Sequence, residues 1–200
     1  MFLSEGAPNM LEPFSEIYEL ALPFLDTRNN RIHMEVSRAF AVRLLQAEGG
    51  EPKVVLPAIT LHDVGWKMVP EELHLKAFGP HDFDRAINRI HEVEGARIAG
   101  EILEKVGYDP ALIAEIVEII SSHDSRETAL SLNDAIVKDS DKLWRFSKEA
   151  SEIDPKRFNI DAKIHIPWLA LQIEGWFLTK TGKKIAREEQ QLRSKALEQL

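Results

Sequence analysis

The stretch AITLHDVGWKMVP, residues 58–70, decides how this chain is read. His62 and Asp63 stand side by side at the end of an apolar run, and Gly65 and Lys67 follow closely. The run begins upstream in EPKVVLPAITL, which carries Pro52 near its start and is apolar on nearly every side. A segment apolar all round is a buried helix. The pattern therefore predicts a central helix that delivers a polar pair at its end. Buried polar groups need partners, and the other histidines and acids are the candidates.

Outward from this centre the pattern is helical, with no sustained period-two strand and no hairpin signal. LEPFSEIYELALPFL predicts a first helix, bounded by Pro13 and ended or kinked at Pro23. In NNRIHMEVSRAFAVRLLQAEGG, the residues Ile32, Val36, Phe40, Leu44 and Leu45 make an apolar stripe, and Gly49-Gly50 supplies the stop. The connection over residues 68–83 is rich in Pro, Gly and polar residues and reads as a surface loop, with His74 and His81 exposed to solvent. DFDRAINRIHEVEGARIAGEILEKVGYDP predicts a long amphipathic helix stopped at Gly107. Asp109 caps the next helix and Pro110 opens it. SLNDAIVKDSDKLWRFSKEAS reads as one helix, IDPKRFNIDAKIHIPWL as a loop, and KKIAREEQQLRSKALEQL as a charged terminal helix. Trp168 and Trp176 have core spacing. The expectation is an all-α helical bundle over residues 1–152, with a helical appendage over 153–200 packing on it.

Composition narrows the chemistry. The chain has 200 residues, 44% hydrophobic and 29% charged, enough for a core without staples. It has no cysteine, which excludes disulfides, thiol nucleophiles and thiolate metal sites, so any metal must be held by His, Asp and Glu. A net charge of −8 disfavours a nucleic-acid duplex as partner. MFLSEGAPNM lacks the features of a signal peptide, and no window approaches the roughly 18 apolar residues of a membrane span. The expectation is a cytoplasmic protein without membrane partners.

Candidate ligands recur along the helices. His33 lies near the start of one, His62-Asp63 at the end of the next, His91 on the long helix, His123 at the end of another, and Asp139 and Asp141 on the one after. Helical bundles assemble metal sites from side chains on facing helices. A His/Asp donor set suits Fe, Mn, Co or Zn, not calcium. Any one histidine alone is an ordinary core or surface residue; the ordered set carries the reading.

That ordered set, His33, then LHDVGWK, then VKDSDKLWRF, resembles the HD-domain superfamily of metal-dependent phosphohydrolases over roughly residues 30–150. The family's final aspartate matches Asp141 of DSDKL better than Asp139. With His91 and His123 added, the order H…HD…H…H…D resembles the two-metal branch. The resemblance implies that His33, His62, Asp63 and Asp141 hold one divalent ion and that His91 and His123 hold a second, with Asp63 bridging. LHDVGWKMVPEELHLK also resembles the HD-GYP phosphodiesterases, from which it departs by Trp66 before Lys67 and by DSRETALSLND where GYP would follow.

The implied activity is hydrolysis of a nucleotide or another small phosphoester. Two ions about 3.5–4 Å apart activate water for attack on phosphorus. Asp63 and Lys67 are the candidate catalytic residues, and Lys67, Lys142 and Arg145 the candidate substrate contacts. Asp124 and Glu92 read as solvated helix-end acids. The same ligand order resembles the di-iron HD oxygenases, and a non-catalytic nucleotide-sensing domain is the third reading. The expected partner is a small phosphorylated substrate; a homodimer is the assembly compatible with the sequence.

Overall fold

The computed structural model describes residues 14–78 and 83–198. Its helices are α1 (Ser15–Leu25), α2 (Asn30–Glu48), α3 (Pro52–Leu61), α4 (His74–Phe78), α5 (Arg85–Lys105), α6 (Pro110–Ile120), α7 (Leu132–Leu143), α8 (Lys148–Phe158), α9 (Ala162–Trp176) and α10 (Lys180–Glu198). Among the described residues there is no strand, so the fold is all-α. No helix among them is long and apolar enough to cross a membrane.

Local chemistry sets the starts and stops. Glu51 caps α3 by accepting from the Lys53 amide, and Pro52 opens that helix. Asp84 accepts from the amides of Ala86 and Ile87 to cap α5. Asp109 caps α6 through Ala111, ahead of Pro110. Gly107 turns the chain between α5 and α6 at φ +69°. Every residue of α3 from Val54 to Leu61 is buried, and the helix packs against α2, α6 and α7. It is the central helix that its all-apolar sequence predicts.

The structure corrects several local expectations. Helix α1 runs through Pro23 to Leu25, two residues past the proline, although Pro23 withholds one backbone donor from the last turn. The α2 stripe holds at Phe40, Leu44 and Leu45, which are buried, and departs at its start, where Ile32 is 40% exposed and Met34 is fully buried. The expected single helix over 131–151 breaks at a 3₁₀ turn, Trp144–Phe146, and Ser147 then caps α8. The expected loop over 153–169 is helical apart from residues 159–161, which join α8 to α9. Pro155 and Pro167 lie inside α8 and α9, and Asp161 caps α9 through the Lys163 amide. The boundary at residue 152 falls inside α8. Within 68–83, a 3₁₀ turn at Glu71–Leu73 leads into α4, and His74 is buried with its Nε2 2.8 Å from the Val69 carbonyl. His81 lies outside the described residues. Trp168 is 44% exposed, not core.

One crossing positions the site. The 3₁₀ turn Val64–Met68, which follows His62-Asp63, packs directly on α5. A Cβ on Gly65 would overlap the His91 carbonyl and the Gly95 amide, so the two backbones approach as closely as glycine allows. Gly175, on α9, has open space at the same position of its residue. Gly65→Ala is expected to destabilise the protein by about 1–3 kcal/mol or more, because α5 must move. Gly175→Ala is expected to stabilise it by about 0.5–1 kcal/mol. Urea unfolding of both variants checks this, and equal midpoints would refute the crossing as a tight constraint.

Candidate metal centre

The described site residues converge on one carboxylate. Asp63 Oδ2 faces His33 Nε2 at 3.4 Å. Asp63 Oδ1 stands 3.7 Å from His62 Nε2, 3.7 Å from His123 Nε2 and 3.9 Å from His91 Nε2. Asp141 Oδ1 closes one side, 3.1 Å from His33 Nε2 and 3.4 Å from His62 Nε2. Asp124 Oδ2 closes the other, 3.7 Å from His91 Nε2. The structure thus brings together His33, His62, Asp63, His91, His123 and Asp141, and adds Asp124. Asp139 faces away and accepts from the Leu178 and Thr179 amides at the start of α10.

The tautomers are set from behind. The Nδ1 atoms of His62 and His123 lie 2.8 and 2.9 Å from the carbonyls of Ile59 and Ile120, and His91 Nδ1 meets the Asn88 carbonyl. A carbonyl only accepts, so each Nδ1 carries the proton and each Nε2 turns toward the cluster. Yet the Nε2 atoms of His33 and His62 are 3.0 Å apart, and those of His91 and His123 are 3.2 Å apart. Donors ligating one ion at about 2.0–2.1 Å stand about 3 Å apart. Both pairs fit a cation between them, and the donor set fits a borderline divalent ion. Three groups of His and Asp meet the spacing for a metal: His33, His62 and Asp141; His62, Asp63 and His123; His91, His123 and Asp124.

Electrostatics describe what the cluster does without a cation. Burial alone would raise Asp63, but His62, His123, His33 and Arg28 hold it well below the usual carboxylate range. His33 and His62 do the same for Asp141, again against burial. Burial lowers His123, but Asp63, Asp124 and Asp141 outweigh it and raise the ring to about 10. His62 is raised by Asp63 and Asp141 in the same way, against burial. His91 is pushed down to about 4, by burial and by the neighbouring His123.

A supporting layer fixes these groups. Trp66 donates from Nε1 to Asp63 Oδ1 at 2.9 Å and stacks on His91, with ring centroids 4.1 Å apart. The Arg28 guanidinium covers the Trp66 ring at 3.8 Å. Glu92 is fully buried, contrary to its reading as a solvated acid, and accepts from the Asp124 and Ser125 amides at 2.9 and 2.8 Å. Burial raises its carboxyl, but His123, the Ser125 amide and Arg89 bring it below its ordinary value. Lys138 donates to the Ser122, His123 and Arg126 carbonyls at 3.0, 2.6 and 2.9 Å, clamping the turn that carries His123 and Asp124.

The cluster opens into a narrow cleft of about 130 Å³, walled by Trp144 and Trp176 and edged by Arg28, Lys142, Arg145 and Arg157. Lys142 and Arg145 stand where the sequence places them. Lys67 does not line the cleft: it is exposed and donates to the Asp26 carbonyl at 3.3 Å. His165 lies on α9, stacked against Trp168 and away from the cluster. Sequence reasoning missed Arg28, in the turn just before α2, and Arg157, on α8 beyond the motif. It could have found Lys138, which sits one turn from Asp141 on α7.

Comparison with known proteins gives the family and supports the fold. The family model described as HD domain matches residues 31–145. No curated protein matches. A crystal structure described as a predicted HD superfamily hydrolase from an uncultured Thermotogales bacterium aligns with a TM-score of 0.64. Its identity is 19%, covering 96% of this chain and 97% of that one. At that identity the likeness is one of fold.

Metal loading should release protons. In the metal-free protein His123 keeps its proton up to about pH 10, and a ligand must be unprotonated. Apparent affinity is therefore expected to rise with pH, by up to about tenfold per unit for each displaced proton. His91, already neutral above about pH 4, contributes none near neutrality. Calorimetry of Mn or Zn binding in buffers of different ionisation enthalpy counts the protons. Loading with no proton release at pH 7 would contradict this account.

Proposed function

Since the chain belongs to the HD-domain family, we propose that it is a metal-dependent phosphohydrolase acting on a nucleotide or another small phosphoester. The observation that carries this reading is the union of two features in one cleft. A His/Asp cluster that fits divalent cations forms its floor, and four cationic side chains, Arg28, Lys142, Arg145 and Arg157, edge it. The chain as a whole is acidic at −8, so a local concentration of cations at the cleft selects an anionic ligand.

His33, His62, Asp63 and Asp141 would hold one ion, and His91, His123 and Asp124 a second, with Asp63 between them. Ions held there would polarise phosphoryl oxygens and make a water a strong nucleophile near neutral pH. The remaining work falls to the chain's own groups. The cationic edge orients the phosphoryl group and offsets the charge that builds on its oxygens. Trp66 fixes the direction of Asp63. Trp144 and Trp176 narrow the cleft and limit bulk water.

The di-iron oxygenase reading rests on the same ligand order and has no separate observation in its favour. The test is a phosphoester panel on protein without a polyhistidine tag, assayed with and without O₂. Phosphate release independent of O₂ is expected, and Asp63→Asn should lower kcat/KM on the order of a thousandfold. Turnover that requires O₂ and iron, or full turnover in the Asp63 variant, would sink the proposal.

A further inference from the structure

Helix α9 is apolar on two sides and buried on one. His165, Ile166, Leu169 and Ile173 turn inward, where the helix packs on α8 and α10. Helix α8 is itself pinned by Asp154, fully buried, whose Oδ2 lies 3.4 Å from Arg145 Nη1. The other side of α9 faces outward. Ile164 is 66% exposed, Trp168 44% and Leu171 79%. Gly175 continues the line, and a Cβ there would meet open space. Pro167, also exposed, lies beside them, and no charge interrupts the stripe. Single exposed apolar residues are ordinary, but a contiguous stripe of large ones marks an interaction surface.

The spacing says what fits this stripe. Positions 164, 168, 171 and 175 step by four, three and four residues, the rhythm of a seam between two helices. The seam is complementary to itself. With a second α9 laid antiparallel, Trp168 of one copy meets Leu171 of the other, and Ile164 fills the space over Gly175. A parallel pair would set glycine on glycine and leave a void, which costs stability. Charge favours the same arrangement. Two chains of −8 repel each other except across a neutral face. Antiparallel pairing opposes the helix dipoles and brings Lys163 beside Glu174 of the second copy, an exposed acid shared with its own Lys183 and Arg187. The exposed parts of Ile164, Trp168 and Leu171 come to roughly 400 Å² per copy, the scale of the largest patches on monomers. Two such faces with their polar rims reach the roughly 1,200 Å² at which specific interfaces begin.

We propose that the outer face of α9 is the contact between two copies of this chain, paired antiparallel about a two-fold axis that passes between Trp168 and Leu171. The same patch then serves both copies, as a two-fold interface requires. Trp168 stands edge-on to Trp176 with ring centroids 5.6 Å apart, and Trp176 walls the cleft. The pairing therefore supports that wall from behind. Nothing in it depends on a metal or on the phosphoester reading.

The test is sedimentation of the full, untagged chain across a dilution series. Twice the mass of one chain is expected at the concentrated end. The mass of a single chain throughout overturns the proposal and needs no variant. Leu171→Glu should weaken the association at least about tenfold, because it buries like charges near the axis. A melting curve confirms that this variant is folded, and a folded variant that pairs as tightly as the wild type overturns the assigned face. The chain has no cysteine, so a cross-link can be placed without interference. The double variant Ile164→Cys/Gly175→Cys should form a covalent dimer on mild oxidation, and neither single variant should. Within one chain the two positions are about 16 Å apart along the helix, as are like residues across the axis. A disulfide tolerates no more than about 7 Å between Cα atoms. No cross-link in the double variant, or a cross-link in Ile164→Cys alone, overturns the antiparallel pairing.

Discussion

The Asp63 carboxylate holds the site together. One oxygen faces His33 and the other faces His62, His91 and His123, so a single side chain joins donors from α2, α3, α5 and the turn after α6. Such a carboxylate is costly to bury unless it is paired and hydrogen-bonded. Here the Trp66 indole supplies the hydrogen bond and the histidines supply the charge. The close approach of Gly65 to α5 follows from this arrangement. Without it, His91 could not stack on Trp66 and reach the same carboxylate.

The ends of the chain complete what the centre begins. Asp139 and Glu48 accept from the amides of Thr179 and Thr181 and so anchor the start of α10 on α7 and α2. Gly182 lies so near Asp139 that a Cβ there would overlap the carboxylate. Ahead of that anchored helix, α8 and α9 supply Arg157 and Trp176 to the cleft. The C-terminal helices thus form one wall of the site. An acidic protein can then present a cationic cleft, because its basic residues are gathered from α7, α8 and two turns.

Much of this was legible in the sequence, for definable reasons. The all-apolar period of residues 54–61 gave the central helix, and proline and aspartate at the cap positions gave the starts of α3 and α6. The ordered histidines and aspartates gave the cluster. The expected loop over 153–169 failed because Ser147 and Asp161 cap helices that run through Pro155 and Pro167. Glu92 and Asp154 were hidden for another reason. Each is charged and buried, and its partners lie on other elements. Nothing local distinguishes such a residue from one on a solvated face. Trp66 stood in plain view three residues after Asp63, but its role depends on a ring stacked on α5.

The proposal turns on whether Asp63 would serve two cation sites at once. Elemental analysis of metal per chain tests it most directly, on untagged protein reconstituted anaerobically, beside His123→Ala and His33→Ala variants. The account predicts two ions in the wild type and loss of one in each variant. A single ion in the wild type that either variant leaves unchanged would contradict it.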